Sequence, residues 1–393
     1  MEHVDPWTLL IALVCGLFLL VVLGGLQSTL ASRRLDQGEA SPPAGAWPRL
    51  SVVIPALNEG HTLEAALTTL LAQTYPNLEI VLINDRSTDD TGAIVDRLAA
   101  KDPRIKPLHI TELPAGWLGK LHALHRGTEL ASGEWLLYSD ADVHFEPGVL
   151  ERAVALAEAD GLDQLAVLPF IISSSFALTA TLISFAVTFM LMVRPHRVGR
   201  PGSKVFIGVG AFNLIRRRGF DRTPGFEWLK MEIGDDVGLG KMIVEHGGKA
   251  GWRLGGDQLT IVWYEDVASL IRGLEKNTYG IFSRFRPGIF ALKLLVIVGL
   301  WMAPWTAIVA PPTPWLRGLG VVVLAAITLL HVVIARRLRY SLLAGAAAPW
   351  IGAAVLLVAL WRSAFTCWRD GGIKWRGTVY SVEDLRRGQR VKL

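Results

Sequence analysis

"SVVIPALNEGHTLEAALTTLLAQTYPNLEIVLINDRSTDDT" (Ser51–Thr91) carries the pattern that decides the fold. Two short β-branched runs, "LSVVIPAL" and "LEIVLIND", have the continuous apolar character of strands buried on both faces of a parallel sheet. Between them "TLEAALTTLLAQTYP" has helical spacing and stops at Pro76, and "DDTGAIVDRLAAKD" starts a second helix after the second strand. Strand–helix–strand–helix alternation predicts a doubly wound sheet, whose ligands bind at the carboxyl ends of the strands.

Those carboxyl ends are polar. The first strand runs into "PALNEG" (55–60), the second into "NDRSTDDT" (84–91), and a third, "LLYSDADVHF" (136–145), into Asp140 and Asp142. Each alone fits a helix cap, since Asn, Asp and Ser satisfy free N–H groups at helix starts. Three in succession on one sheet edge describe a polar crevice instead. Asp140 and Asp142 repel each other unless a cation or a donor sits between them. His144 follows closely, but as a loop histidine is read as structural, because a hard divalent ion prefers oxygen.

These motifs resemble those of the family 2 glycosyltransferases, in particular membrane-integrated bacterial enzymes that glycosylate lipids, including ceramide, carotenoid and hopanoid-associated ones. The resemblance rests on Ser51–Thr91, on "GWLGKLHALHRGTELASGEWLLYSDADVHFEPG" (116–148) and on "EIGDDVGLGKMIVEHG" (232–247). It implies an α/β nucleotide-sugar-binding (GT-A-like) domain with a mostly parallel mixed sheet. It also implies inverting, metal-dependent transfer from a nucleotide-diphosphate sugar, UDP-linked, to a membrane lipid. By the resemblance Asp142 binds Mg²⁺ or Mn²⁺, and Asp140 contacts the ribose or also the metal. Pro55, Ala56 and Asn58 shape the nucleoside pocket with Glu59 nearby, Asp85 accepts from base or ribose, and Lys120 meets phosphate or nucleobase. Asp236 is the base that takes the acceptor proton, with Asp235 its partner; both also fit a plain helix cap. In "IGVGAFNLIRRRGF" (207–220), Gly208 and Gly210 let backbone approach the sugar.

One departure bears on the product. Processive polysaccharide synthases of the family carry Gln-x-x-Arg-Trp after the catalytic carboxylate, and that motif is missing here. The corresponding stretch, "WYEDVASLIRGLEKNTYG", holds Arg272 and Lys276 four apart, on one helical face, to meet a leaving diphosphate or anionic lipid head groups. Single sugar addition to a lipid is therefore expected. A polysaccharide synthase, or a non-catalytic membrane scaffold that keeps the fold, are the alternatives.

Composition agrees with a membrane enzyme. The 393 residues are 51% hydrophobic and 19% charged, with a mean hydropathy of +0.37, too apolar for an ordinary soluble domain. The net charge of +5 is explained by arginines flanking apolar runs, with no nucleic-acid partner. Two cysteines, Cys15 and Cys367, support neither a disulfide framework nor a zinc cluster. Thr8–Leu26 is a spanning apolar run followed by Arg33 and Arg34, so residues 1–34 are read as a retained anchor with the next segment cytoplasmic. Residues 35–49 read as a linker and 50–288 as the catalytic domain. Within it, 176–193 is expected to lie on the membrane surface at the mouth of the site, or else in the core. Residues 289–361 hold about three further membrane helices, and 362–393 form a basic tail. Three crossings after a cytoplasmic domain would leave that tail outside, against its arginines, so either one segment is re-entrant or the charge rule is broken; a cytoplasmic tail is expected, at a bacterial inner membrane.

Overall fold

The computed structural model describes residues 5–37, 45–309 and 313–392. Helix α1 spans Pro6–Ala31, its first turn capped by Asp5, which accepts from the N–H groups of Trp7 and Thr8. The α/β part then runs β1 Leu50–Ala56, α2 Leu63–Leu71, β2 Leu78–Asp85, α3 Thr91–Lys101, β3 Ile105–Ile110, α4 Gly119–Leu130 and β4 Trp135–Tyr138. It continues with β5 His144–Phe145, α5 Val149–Ala159, β6 Gln164–Ile171, α6 Phe176–Val193, β7 Asn213–Arg216 and single turns α7 Arg217–Phe220 and α8 Phe226–Leu229. Then come α9 Asp235–Glu245, β8 Ala250–Ile261, α10 Val267–Leu274 and α11 Thr278–Ser283.

Eight strands form one sheet in the order β3-β2-β1-β4-β7-β6-β8-β5. β3, β2, β1 and β4 are mutually parallel, β7 is antiparallel to both its neighbours, and β6 pairs in parallel with β8. The predicted mostly parallel mixed sheet is present. The chain leaves β1 for β2 on one side and later returns to β4 on the other, so a crevice opens at the carboxyl ends of β1, β2 and β4. Val52, Val53, Ile80, Val81, Leu136 and Leu137 are fully buried, which is why these strands read as unbroken apolar runs.

The opposite edge is fastened by Glu79. Its carboxylate accepts from Ser51 Oγ at 2.8 Å and from Ser132 N and Oγ at 2.8 and 2.6 Å, and it pairs with Arg49 at 2.7 Å and Lys106 at 2.9 Å. Burial alone would raise its pKa, but the hydrogen bonds from Lys106, Ser132 and Ser51 outweigh it and hold the group at about 2.

Four helices follow or flank the sheet as apolar rods: α12 Pro287–Val309, α13 Pro314–Arg337, α14 Leu342–Asp370, and α6. With α1, five helices among the described residues are long and apolar enough to cross a membrane. α1 ends on the sheet, where Leu35 N donates to Leu254 O at 2.8 Å. α13 returns to it: Arg337 donates to Leu30 O at 2.8 Å, Tyr340 OH to Ile171 O at 2.6 Å, and Arg339 pairs with Asp257. α14 lies along α6, with Ser184 Oγ donating to Ala348 O at 2.7 Å. A Cβ at Gly352 would fall 2.4 Å from both Ala180 O and Ser184 Oγ, so glycine permits this close packing. Segment 176–193 is thus a helix shared between the sheet and the other long helices.

The C-terminal segment departs from its reading as a basic tail. α14 continues to Asp370, past the expected boundary at 361, and is followed by β9 Gly372–Trp375, β10 Thr378–Ser381 and α15 Val382–Gly388. Ile373, Leu385 and Val391 are buried. Glu232 Oε2 accepts from Val391 N at 2.8 Å, and Lys241 Nζ donates to Arg390 O at 2.7 Å. Both ends of α14 therefore touch the α/β domain. Of the expected linker, Leu35 is bound to Leu254 of β8 and 38–44 lie outside the described residues.

Glu79→Gln is expected to cost about 3 kcal/mol at neutral pH, from a displacement of 4.5 to about 2 at about 1.4 kcal/mol per unit. Because the folded pKa lies below the unfolded one, this stabilisation is complete above about 4.5 and is lost as pH falls through about 2. Thermal unfolding of the detergent-solubilised chain against pH checks it: the wild-type curve falls at acid pH, and the variant starts lower and is flatter.

Candidate active site

Every strand end named from the sequence reaches one crevice. β1 ends at Pro55 and Ala56, and the chain turns at Asn58, which sits at φ 56°, a left-handed conformation that asparagine tolerates. Asn58 N donates to Ser87 Oγ at 3.1 Å and its Oδ1 accepts from Thr88 N at 2.8 Å. Glu59 N donates to Thr91 Oγ1 at 2.9 Å. The first two strand ends are thereby laced together, and part of their polarity is structural, as the capping alternative held.

Asp85 is buried, and its two oxygens are held by Arg86 at 2.7 and 2.9 Å. Gly119 makes room: a Cβ there would meet Arg86 at 2.3 Å and Asp85 at 3.2 Å. Arg86 was not singled out from the sequence. In "NDRSTDD" it reads as a solvated turn residue.

The centre of the site is Lys120, at the start of α4. Its Nζ lies 2.7 Å from Asp140 Oδ1 and 3.0 Å from Asp235 Oδ2. Burial pulls its pKa down, but Asp140, Asp235 and Asp236 overcome that and raise it, so it stays an ammonium. Burial pushes the other way on Asp140, yet Lys120, with Lys276 and Arg376 behind it, keeps that carboxyl below its ordinary range. Asp142 has no such partner. Burial, then Asp140 and Glu59, push its pKa up to about 7.

Asp236 opens α9. Its carboxylate accepts from Gly210 N at 3.0 Å and Val237 N at 2.8 Å. Burial first, and Asp235 next, raise it to about 7. The two glycines before β7 have a geometric purpose: a Cβ at Gly208 would lie 1.7 Å from Asp236 O, and one at Gly210 would lie 2.8 Å from Asp140 Oδ2. They let this segment pass between the two acidic motifs.

Lys276 enters the same field. Burial, then Lys120 and, further on, Arg376, lower its pKa to about 8, and its Nζ sits 4.5 Å from the Trp375 ring centroid. The helical face expected for Arg272 and Lys276 is not formed, because α10 ends at Leu274. Arg272 stays exposed on α10, without an ion pair among the described residues, and is not brought to the cluster. His144 lies in β5, its backbone paired with Thr260 of β8.

The missed residues come from the C-terminal hairpin. Arg376 and Gly377 form its two-residue turn, both at positive φ (46° and 86°), the backbone of a type I′ turn. Arg376 donates to Leu57 O and, at 2.9 Å, to Glu59 Oε1. Tyr380 on β10 feels the charges of Asp85 and Arg86. "IKWRGTVY" does carry a hairpin signal, two strand-like triplets around a turn ending in Gly, hidden by its basic surroundings.

Among the described residues no group of three or more His, Cys, Asp or Glu is arranged to hold a metal. Asp142 with Asp140 nevertheless suits Mg²⁺ or Mn²⁺, which take one or two carboxylates and complete their shell with water and substrate phosphates. Asp142, half-buried and without an ion pair among the described residues, is the residue such an ion would relieve.

Comparison with known proteins accounts for this layout. The family described as "Glycosyl transferase family 2" matches residues 51–223. Those residues are a family 2 glycosyltransferase domain. The uncharacterised glycosyltransferase YibD of Escherichia coli is 35% identical over 115 residues, 29% of this chain and 32% of that protein. The GalNAc(5)-diNAcBac-PP-undecaprenol beta-1,3-glucosyltransferase of Campylobacter jejuni is 34% identical over 110 residues, 28% of this chain and 35% of its own. The matches thus span about a third of these relatives' length. A solved structure, the mannosyltransferase PcManGT from Pyrobaculum calidifontis in complex with GDP-Man and Mn2+, superposes with a TM-score of 0.52 over 92% of this chain and 99% of that one at 21% identity. The fold is GT-A-like, and the likeness extends beyond the family 2 domain into the long helices.

Arg376→Ala is expected to free the hairpin from the β1 end. Hydrogen–deuterium exchange should then speed at least several-fold across 372–381 while β1 and β2 keep their protection. Unchanged exchange would show that the hairpin is held by its other contacts alone.

Proposed function

We propose that this chain transfers a sugar from a nucleotide-diphosphate donor to a lipid in the membrane, with inversion and with Mg²⁺ or Mn²⁺. The observation that carries the reading is Lys120, which joins the diphosphate end of the crevice (Asp140, Asp142) to the start of α9 (Asp235, Asp236) within one pair of ion contacts. Leaving group and acceptor base are thereby neighbours, as a displacement at one sugar carbon requires.

In this reading Pro55, Ala56, Asn58 and Asp85 face the nucleoside, and Asp85 exchanges one of its Arg86 contacts for it. Asp140 and Asp142 would hold the divalent ion, which when bound neutralises charge on the departing diphosphate. Lys120, Lys276 and Arg376 supply fixed positive charge to the same oxygens. Asp236, held by two backbone N–H groups and with its pKa near 7, takes the acceptor proton, and Asp235 keeps Lys120 in place. A uridine donor is our reading, with guanosine the other to be tried.

Lipid access is supported by the surroundings of α9. Ile281 of α11 stands 3.9 Å from the Cβ position of Gly234, just before Asp235, and α11 leads directly into α12. Arg33, Arg336, Arg337 and Arg339 all gather at the sheet side of the long helices, so we place the catalytic domain on the cytoplasmic face of a bacterial plasma membrane.

Two measurements test this. Membranes containing the chain, supplied with radiolabelled UDP- and GDP-sugars and Mn²⁺, should yield a donor-dependent labelled lipid; polymer instead, or no labelled lipid from any donor, would overturn the proposal. Asp236→Asn should lower turnover by about 10²–10⁴-fold with donor binding kept. Wild-type turnover should fall about tenfold per pH unit below about 7, since only the carboxylate accepts a proton.

A further inference from the structure

A second polar cavity lies at the other end of the sheet. β6 and β8 run parallel to β1, through β7 and β4, so their first residues sit on the edge opposite the carboxylate crevice. There a cavity of about 380 Å³ is bounded by Ala31 at the end of α1, the 195–200 turn that follows α6, and the start of β8. Gly199, at φ 73°, pins that turn: a Cβ would lie 2.3 Å from Ala250 O.

Its walls carry Arg33, Arg200, Lys249 and Arg253 against the single acid Asp160. Asp160 is already engaged, with Arg253 at 2.8 Å on its carboxylate and Lys249 at 2.6 Å on its carbonyl. Arg33 and Arg200 are exposed and have no salt-bridge partner among the described residues. Two lining residues carry buried nitrogens without a hydrogen-bond partner, His196 Nδ1 and Trp252 Nε1. The indole N–H can only donate. Spare guanidinium charge at Arg33 and Arg200 on the rim of a cavity whose one acid is already engaged describes an anion site.

We propose that this cavity binds the phosphate of an anionic membrane lipid, an assignment that rests on reading α1 and α6 as membrane-associated helices. The cavity opens where both apolar helices end, at head-group depth, and arginine matches phosphate with paired hydrogen bonds. Held there, the lipid would tie the ends of α1 and α6 to β8, remote from the transfer chemistry.

The test uses the full-length chain in nanodiscs of phosphatidylcholine doped with phosphatidylglycerol, with lipids retained after detergent release counted by native mass spectrometry. Wild type should retain phosphatidylglycerol in preference, and the Arg33→Gln/Arg200→Gln double variant should lose about thirtyfold of that preference. Lys101→Gln/Arg126→Gln, of equal charge change elsewhere, should keep it. No anionic preference in wild type, or equal losses in both double variants, overturns the site. Displacement of phosphatidylglycerol by inorganic phosphate at matched concentration overturns the lipid assignment in favour of free phosphate. Phosphatidylcholine retention reports separately on membrane association, so failure of the pocket and failure of the membrane reading are told apart.

Discussion

One ammonium group organises the site. Lys120 sits between Asp140, at the end of a central strand, and Asp235, at the start of a helix nearly a hundred residues later. Without a cation there, two acidic motifs would be driven together in a half-buried crevice, at an electrostatic cost several times the worth of an exposed ion pair. With it, three carboxylates can share the crevice in different protonation conditions. Asp140 is held ionised, while Asp142 and Asp236 are pushed up to about 7. The lysine thus separates the carboxylate it holds ionised from the two that burial pushes up.

The second constraint is steric. Gly208 and Gly210 leave no space for a side chain between Asp236 and Asp140, so the segment leading into β7 acts as a spacer of backbone thickness. Its N–H at 210 also donates to Asp236, which orients the carboxylate that would accept a proton. Around this centre the C-terminal hairpin brings Arg376 and Trp375 over the crevice, and Glu232, buried beneath α9, binds the last turn of chain. The site is therefore closed by residues from both ends of the catalytic region, and the long helices between them are part of its frame.

Much of this was legible beforehand. The strands β1, β2 and β4 could be read because both their faces are buried, so composition alone marks them. Asp140 and Asp142 could be read because two close carboxylates at a strand end repel unless a cation or donor lies between them, whereas Asp85, Asp235 and Asp236 were visible through the resemblance, since position alone also fits a helix cap. Lys120 was visible only through its resemblance to a family pattern. Arg272 was placed with Lys276 because i and i+4 share a helix face, and the end of α10 between them removed that premise. Arg376 was invisible because a basic residue in a basic segment carries no local signal of what it will touch.

What the sequence determined by itself was the sheet, the acidic edge and the presence of long apolar helices, since each depends on local pattern and burial. The tertiary structure decided the rest: that α14 lies along α6 with both ends on the catalytic domain, that the C-terminal arginines return to the crevice, and that Lys120 has two partners. These depend on contacts between residues more than three hundred positions apart. Hydropathy counts apolar length, and charge counts sign, but neither records direction, so only packing could say which helix turns back and which cation faces the acids.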